Sequence, residues 1–447
     1  AKSKYHEDNE SKKSHIGYYI VGEGRKQLVK NHRLEMAGGA GKNNALLFLA
    51  LAAMGGATAL FFFSEAVIKN IFYGYSHTWL RIIASAAAIV PAAIVLFNTA
   101  LSLVQALFSR LYRPAVLPSM DFFDGIPADH SVMLVMPALV TAPQRVKELL
   151  EELYIISLAN RDSNIYFAIL ADFAESKSKD EPSDKEIIDA GRHSVLELNK
   201  QAGYDKFFFF YRHRVFHGTE ECWMGRERKR GALIDFNSYI LMRRNVLSDG
   251  NSEETQKWST IPECSPIESA AGEAPYIKYV FTVDADCRIP ANTIRKMTAV
   301  MSHPLNFPDI EEKGGAFIVK SGYGILQPGI APEAVRKGRS KFAEIFTGAA
   351  GVDSYFPKTS DFYFDSCLEG IYTGKGMYEP AVFNSVVGRL FRKETVLSHD
   401  LIEGSYLRTA PVSDVIVYDG FPNSYASYAK RLHRWIRGDW QLLPYGR

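Results

Sequence analysis

The chain has 447 residues, of which 47% are hydrophobic, so it can form more than one domain and bury a large core. Its formal net charge of +2 gives no preference for an acidic partner, and no nucleic acid is expected. The four cysteines are far apart and lack the Cys-x-x-Cys or Cys/His spacing of a zinc site, which predicts reduced thiols facing the cytosol. They are Cys222, Cys264, Cys287 and Cys367.

Two uncharged stretches lie within residues 45–107. Residues 45–63 and 82–104 are each long enough to cross a hydrocarbon core about 30 Å thick. We predict two transmembrane helices, the second kinked at Pro91. A pair of buried helices in a globular domain is the alternative.

The distribution of basic residues predicts the orientation of these helices. Residues 1–44 contain nine Lys or Arg, the connecting segment 64–81 contains two, and Arg110 and Arg113 follow the second helix. The excess of positive charge on one side places both the N-terminal segment and the chain beyond residue 105 in the cytoplasm. We therefore expect a multi-pass protein of the cytoplasmic membrane, in contact with the lipid bilayer.

Strand and helix patterns alternate from about residue 128, which predicts a cytoplasmic, doubly wound α/β domain over residues 128–447. The polar composition of residues 246–275 indicates a mobile insertion. The predicted strands are 130–139, 165–173, 207–216 and 279–283, and the predicted helices are 143–158 and 187–200.

The strand predicted at residues 279–283 ends at two carboxylates, Asp284 and Asp286. Its aromatic and β-branched side chains are typical of a strand buried on both faces. Ligand sites of open α/β sheets lie just beyond such strand ends. An Asp-x-Asp pair there can bind Mg²⁺ or Mn²⁺, which neutralises the diphosphate of a nucleotide donor. A solvated pair of turn residues is the alternative.

Two further carboxylates complete an order along the chain that nucleotide-sugar glycosyltransferases use. Asp172 ends the strand at 165–173 and is predicted to hold a base or ribose. Asp400, well after the Asp-x-Asp pair, is predicted to be the general base that takes the proton of an acceptor hydroxyl in an inverting transfer. Because Ser398 precedes it, a helix cap at this position is the alternative, and one carboxylate can serve both purposes. Glu403 is the next candidate for the base.

The segment RLHRWIRGDWQ resembles the Gln-x-x-Arg-Trp signature of processive glycan synthases, with Arg431 in place of Gln. Arg434 can pair with the donor diphosphate, and Trp435 offers a flat face to an acceptor sugar ring. For Arg437 and Trp440, an amphipathic helix on the membrane surface is the alternative.

Together, these strings resemble the glycosyltransferase segment of bacterial cyclic β-1,2-glucan synthases. The resemblance runs almost from end to end, and it is carried by SHIGYYIVGEGRKQL, RVFHGTEECWMGRERKRGALIDFN, YVFTVDADCRIP, GYGILQPGI, LEGIYTGKGMY, LSHDLIEGSY and RLHRWIRGDWQ. It implies an inner-membrane enzyme with a cytoplasmic GT-A domain that polymerises glucose from UDP-glucose onto a growing β-1,2-glucan chain. It also implies further domains, so we expect this chain to be a fragment of a longer polypeptide.

The resemblance assigns roles to two other segments. GRERKRGALIDFN is similar to the element that lies against the donor nucleotide in cellulose synthases, which implies donor contacts from Lys229 and Arg230 and close backbone approach at Gly231. By analogy with other synthases, LEGIYTGKGMY shapes the acceptor pocket, with Glu369 and Tyr372 facing sugar hydroxyls. GYGILQPGI is expected nearby, or as an edge strand and turn.

Two other functions remain open. One is a cellulose- or hyaluronan-type synthase with another sugar or linkage, and the other is a non-catalytic membrane scaffold that binds nucleotide or glycan. A complete Gln-x-x-Arg-Trp together with Thr-Glu-Asp would favour the first, and loss of Asp286 or Asp400 would favour the second. Neither condition is met, so the sequence favours the metal-dependent, inverting glucosyltransferase.

Overall fold

The computed structural model describes residues 42–74, 77–111, 116–218, 220–247, 266–333, 340–347, 364, 368–388, 390 and 400–442. The chain divides into two compact units, residues 1–115 with 359–369, and residues 116–358 with 370–447. Cys264, Cys367 and Ser398 lie outside the described residues, as does most of the predicted N-terminal segment 1–44.

The described helices are α1 (Lys42–Gly74), α2 (Thr78–Leu111), α3 (Pro143–Ala159), α4 (Pro182–Ala202), α5 (Arg228–Leu247), α6 (Thr293–Met301), α7 (Lys341–Thr347), α8 (Pro380–Val387), α9 (Asp400–Leu407) and α10 (Tyr425–Leu442). The described strands are β1 (Val132–Val140), β2 (Ile165–Phe173), β3 (Phe207–Arg212), β4 (Val215–His217), β5 (Cys222–Met224), β6 (Ile267–Ser269), β7 (Tyr279–Thr282), β8 (Asp309–Lys313), β9 (Ala316–Ser321), β10 (Ile325–Pro332), β11 (Gly376–Tyr378) and β12 (Thr409–Asp419).

The first unit contains the two long apolar helices α1 and α2. Leu47–Asn70 and Thr78–Val104 are long and apolar enough to cross a membrane, and only 17% and 0% of their apolar stretches are buried. The helices pack on each other closely, since a Cβ atom at Gly56 would lie 3.2 Å from Phe97. Exposed apolar side chains along both helices, such as Phe62, suit lipid better than water.

Both helices extend further than the sequence pattern predicts, so most of the expected connecting segment 64–81 is helical. The helix α1 continues through Glu65 and Lys69, which lie one turn apart and pair with an N–O distance of 3.2 Å. Such a pair stabilises a helix by about 0.2–0.5 kcal/mol. The charges therefore end the apolar stretch without ending the helix.

In the described part of the second unit, eight strands form one sheet in the order β12-β10-β11-β7-β1-β2-β3-β6. The strands β7, β1, β2 and β3 are mutually parallel. One sheet face packs on α3 and α4, where Phe209 meets Gly191, and the other packs on α5, where Phe210 meets Phe236. The predicted doubly wound α/β fold is confirmed, with the order of strands reversing between β1 and β7.

The predicted insertion at residues 246–275 contains a strand. Residues 248–265 lie outside the described part, but β6 pairs antiparallel with β3, and Ala270 donates its N–H to the carbonyl of Phe209 over 3.0 Å. A three-residue strand has no hydrophobic period to detect, because backbone pairing rather than burial of side chains specifies it. The predicted strand 207–216 is likewise divided into β3 and β4 after Arg212.

The sheet directions bring distant segments to one edge. Because β11 is antiparallel to both β7 and β10, and β12 is parallel to β10, the strands β7 and β12 run the same way. Gly376, the first residue of β11, pairs with Thr282, the last residue of β7. Arg288 and Tyr418 exchange backbone hydrogen bonds of 2.7 and 3.0 Å, which joins the segment after β7 to the end of β12.

Candidate functional site

A cluster of charged side chains lies at this edge of the sheet, beyond the carboxyl ends of β7 and β12. We call it the lysine cluster, and it consists of Lys229, Asp284, Asp286, Lys375 and Asp419. The edge is next to the point where the order of strands reverses, which is where open α/β sheets bind ligands.

Asp284 lies between two lysines. Its Oδ1 atom accepts a hydrogen bond of 2.5 Å from Lys229 Nζ, and its Oδ2 atom lies 2.9 Å from Lys375 Nζ. Lys375 Nζ lies 3.0 Å from Asp419 Oδ2 as well. Burial disfavours the charged form of Asp284, but the positive charges of the two lysines outweigh it and lower the pKa of the carboxyl group. Asp284 is therefore an ionised carboxylate with both oxygens engaged.

Asp286 and Asp419 lie beside each other. Their carboxylate oxygens and the sulfur of Cys287 all lie within 4.8 Å of one another. Burial raises the pKa of the Cys287 thiol, which donates to Asp419 Oδ1 over 3.1 Å and stays protonated. A protonated thiol is a poor ligand for a hard cation, so the two carboxylates are the part of this group that fits Mg²⁺ or Mn²⁺.

Asp419 was not predicted, although the sequence contained a signal for it. The segment VIVYD resembles VFTVD, in that an apolar strand stops at an aspartate. The signal has meaning only once β12 is known to run parallel to β7.

Asp400 is the first residue of α9 and lies against the loop that carries Lys375. A Cβ atom built at Gly374 would lie 2.8 Å from Asp400 Oδ2, so only a glycine leaves room for the carboxylate. Gly374 also has a φ of 84°, and its carbonyl accepts a 2.8 Å hydrogen bond from Lys229 Nζ. Burial lowers the pKa of Lys229, but Asp284 and Asp400 outweigh it and raise that pKa. The structure thus brings Asp400 and the lysine cluster together.

The loop around Gly374 is held from two sides. Gln327 donates to Thr373 Oγ1 over 3.0 Å and accepts from the Thr373 N–H over 3.1 Å, so the expected proximity of GYGILQPGI to this loop is observed. Tyr372 is buried beneath the loop, and burial raises the pKa of its phenol. Its predicted contact with a sugar would require the loop to move. Glu369 belongs to the first unit, and its predicted role stays a prediction.

A second group of charges lies at the ends of β2 and β3. We call it the arginine network, and it consists of Asp172, Arg212, Arg226 and Asp235. Arg212 binds both oxygens of Asp172, with Nη2 2.8 Å from Oδ2, and its Nη1 lies 3.0 Å from Asp235 Oδ2. Arg226 Nη2 reaches Asp235 Oδ1 over 2.5 Å. Asp172 is at a strand end as predicted, with its carboxylate already paired.

The segment GRERKRGALIDFN, which is predicted to contact the donor, has residues in both the lysine cluster and the arginine network. Lys229 belongs to the lysine cluster. Arg230 is buried, and its Nη2 lies 2.6 Å from Glu227 Oε2. A Cβ atom at Gly231 would lie 1.9 Å from the Arg226 carbonyl oxygen, so this glycine permits a tight turn of the protein's own backbone. The donor contacts predicted at Arg230 and Gly231 stay predictions.

The helix α10 carries the residues of the synthase signature. Arg434 is exposed, and Trp435 is 43% exposed. Arg431, which replaces the expected Gln, reaches the Asp-x-Asp pair, because its Nη2 donates to Asp286 Oδ2 over 3.1 Å and its guanidinium lies 5.8 Å from the Trp435 ring centroid. The sequence analysis gave Arg431 no role.

Comparison with known proteins identifies a relative. No protein-family model matches the chain. The cyclic beta-(1,2)-glucan synthase NdvB of Rhizobium meliloti is 35% identical over 350 residues, which is 77% of this chain and 12% of that protein. The relationship that the motifs indicate is therefore confirmed, and this chain corresponds to a segment of such a synthase.

A solved structure with some likeness is mannosyl-3-phosphoglycerate synthase from Rubrobacter xylanophilus. It is 12% identical, with a TM-score of 0.28, over 76% of this chain and 84% of that one. A likeness this weak carries no argument, so the assignment rests on the relative and on the site.

Proposed function

We propose that this chain is an inverting, processive glucosyltransferase that takes glucose from UDP-glucose and extends a β-1,2-glucan chain. The name of the related synthase supports the product. The observation that carries the proposal is the position of Asp400. Its carboxylate packs on Gly374, whose carbonyl binds Lys229 and whose neighbour Lys375 binds Asp284. A candidate base therefore lies beside the candidate donor site.

In the proposed reaction, an acceptor hydroxyl attacks the anomeric carbon of glucose from the face opposite UDP. The new bond joins the acceptor oxygen to that carbon, the bond from the carbon to the diphosphate oxygen breaks, and the proton passes to a carboxylate oxygen of Asp400. Lys229 holds the diphosphate, and Asp172 lies at the same sheet edge for the base or ribose. Arg434 and Trp435 stay the proposed contacts for diphosphate and acceptor.

A divalent cation is part of the proposal. Asp286 and Asp419 would hold Mg²⁺ or Mn²⁺, and the ion would neutralise charge on the diphosphate. Asp284, predicted as the other ligand, fits this role less well, because ammonium groups occupy both of its oxygens, whereas one ammonium group and the neutral Cys287 thiol engage those of Asp419. Its part in the proposed site is to position the two lysines.

The proposed location is the cytoplasmic membrane of a bacterium. Leu47–Asn70 and Thr78–Val104 would cross the bilayer, and the second unit would lie in the cytoplasm. The excess of basic residues in the segment 1–44 supports this orientation. The chain spans 12% of the length of its relative, so we propose further domains of the same polypeptide as its partners.

Asp400→Asn tests the proposal most directly. The amide keeps the shape of the side chain but cannot take a proton, so transfer should fall by about 10²- to 10⁴-fold. The purified chain in detergent, with Mn²⁺ and radiolabelled UDP-glucose, should make 1,2-linked glucan, and the variant should bind UDP as the wild type does. Asp414→Asn, an exposed carboxylate on β12, is the matched control.

Three outcomes would overturn parts of the proposal. A fall of only a few-fold in Asp400→Asn would exclude Asp400 as the base and direct attention to Glu403 in the same helix. Another linkage or another preferred UDP-sugar would indicate a different synthase. Binding of UDP without transfer by the wild-type chain would indicate a scaffold.

A further inference from the structure

Lys375 lies at the centre of the lysine cluster. We infer that it is a donor-binding residue, whose ammonium group contacts the diphosphate of the nucleotide sugar. The inference rests on the proposed function and deepens it. By analogy with other synthases, the loop of Lys375 is predicted to shape the acceptor pocket, and no role for this lysine is predicted from the sequence.

The hydrogen bonds of Lys375 hold its ammonium in place and leave it able to bind a ligand. Two of its three N–H groups suffice for Asp284 Oδ2 at 2.9 Å and Asp419 Oδ2 at 3.0 Å. Among the described residues, no other acceptor is found for the third. Lys229 is similar, since it donates to Asp284 Oδ1 and to the Gly374 carbonyl. Two ammonium groups therefore flank a single carboxylate.

The balance of charge in the lysine cluster depends on the cation of the proposed site. Lys229 and Lys375 share Asp284, and Lys375 also pairs with Asp419, so carboxylates lie against both ammonium groups. A cation held by Asp286 and Asp419 would offset the charge of those two carboxylates and leave two ammonium groups against Asp284. A diphosphate would then accept charge-assisted hydrogen bonds from both lysines.

The surrounding loop holds Lys375 between donor and base. Gly374 lets Asp400 approach on one side, and on the other a Cβ atom at Gly376 would lie 2.6 Å from the Leu326 carbonyl oxygen. The two hydrogen bonds between Gln327 and Thr373 fix the chain immediately before. A lysine set rigidly in this position needs little ordering when a ligand binds.

A purely structural ion pair is the competing explanation. Elsewhere among the described residues, buried ion pairs use arginine, as in Arg214, which binds both oxygens of Asp184 at 2.5 and 2.9 Å. Lys375 is itself buried, but it pairs with one carboxylate that keeps contact with solvent, because the Asp284 side chain is 36% exposed. A ligand can reach such a pair.

Binding measurements on the full chain in detergent, with Mn²⁺ held constant, test the inference. The variants are Lys375→Met, which removes the charge, Lys375→Arg, which keeps it, and Lys206→Met as a control. Lys206 is also buried but lies just before β3, at the amino end of a parallel strand. The probes are UDP, pyrophosphate and uridine, with uridine measured by displacement.

We expect Lys375→Met to weaken binding of UDP and pyrophosphate by about ten- to a hundredfold. Uridine affinity should not change, Lys375→Arg should recover part of the loss, and Lys206→Met should bind all three as the wild type does. A structural role would not distinguish the probes, because a distorted site would lose uridine too.

Other outcomes separate this inference from the proposed function. Unchanged affinity of Lys375→Met for both phosphate-containing probes would overturn the inference and leave the proposed function standing. An equal loss for all three probes would also overturn it, in favour of a structural role. If the wild-type chain binds pyrophosphate but not UDP, the proposed donor is wrong, and the pyrophosphate affinities of the variants still decide the role of Lys375.

Discussion

The arginine network and the lysine cluster lie at the same edge of one sheet and contain the same kinds of charge, but they differ in what they leave available. Arg212 is fully buried and makes four hydrogen bonds, to Asp172, Asp235 and the Arg228 carbonyl. In the lysine cluster, the side chains of Lys375 and Asp419 are 8% and 16% exposed, but those of Asp284 and Asp286 are 36% and 45% exposed. The first group is closed around one buried guanidinium, whereas the second is open to solvent at two of its carboxylates.

The comparison shows that charged residues at a strand end do not by themselves mark a binding site. A guanidinium has five donors in one plane and can satisfy two carboxylates at once, which suits a permanent contact. An ammonium group is a compact charge on a flexible stem, and it can exchange a carboxylate for a ligand without losing all its bonds. The difference favours a structural role for Arg212, Arg226 and Asp235 and supports the proposed binding role of the lysine cluster, while the partly exposed Asp172 stays the proposed contact for the base or ribose.

The largest expected effect is on stability, in Arg212→Met. The Asp235 side chain is fully buried and that of Asp172 is 15% exposed, and removal of the guanidinium leaves both carboxylates with less compensation. Breaking a buried ion pair by removing one partner costs about 3–5 kcal/mol of the free energy of unfolding. Denaturant titration of the chain in detergent, followed by tryptophan fluorescence, measures the loss.

Lys375→Met is the matched variant for this experiment. Its effect on the free energy of unfolding should be clearly smaller, because Asp284 keeps Lys229 and stays in contact with solvent. Equal losses of unfolding free energy in Arg212→Met and Lys375→Met would show that the two groups do not differ in their contribution to stability. A wild-type unfolding midpoint for Arg212→Met would contradict the structural role of the network.

An intermediate effect is expected at Gly231, which connects the two groups. A Cβ atom there would lie 1.9 Å from the Arg226 carbonyl oxygen and 3.1 Å from Arg212 Nη1. Gly231→Ala should cost about 1–3 kcal/mol through overpacking, and it should weaken UDP binding because the displaced turn carries Lys229. Unfolding and UDP titrations measure both.

Gly218→Ala is the control for this substitution, since a Cβ atom there would meet no described atom within 4 Å. It should leave both stability and UDP affinity unchanged. If Gly231→Ala lost stability but kept its UDP affinity, the turn would not position Lys229, and the two groups would be independent.

Part of this site could be predicted from sequence because local patterns carry it. The buried strands β1, β2 and β7 are continuous apolar runs, and each change from apolar to acidic at a strand end pointed to Asp172, Asp284 and Asp286. The predicted helix 143–158 was nearly complete, because its apolar side chains repeat with helical period.

The remaining site residues could not be predicted, because the topology of the sheet, rather than a local pattern, brings them together. Lys375 joins the cluster because β11 runs antiparallel to β7, and Asp419 joins because β12 runs parallel to β10. The pairing of Asp172 with Arg212 depends on two strand ends in register. Local sequence does not specify these pairings, so it could not show that an arginine already binds the Asp172 carboxylate.

The smallest expected effect concerns Arg431, the residue that departs from the synthase signature. Arg431→Gln restores the expected residue and removes a partly exposed ion pair with Asp286, so the free energy of unfolding should change by less than about 1 kcal/mol. The affinity for Mn²⁺ should rise a few-fold, because a positive charge no longer competes for the Asp286 carboxylate. Titration with Mn²⁺ followed by electron paramagnetic resonance measures this, with Asp286→Ala as the variant that loses the site. A weaker affinity for Mn²⁺ in Arg431→Gln would show that Arg431 orients Asp286 instead of competing for it, and the lysine cluster would then be less open than its exposed carboxylates indicate.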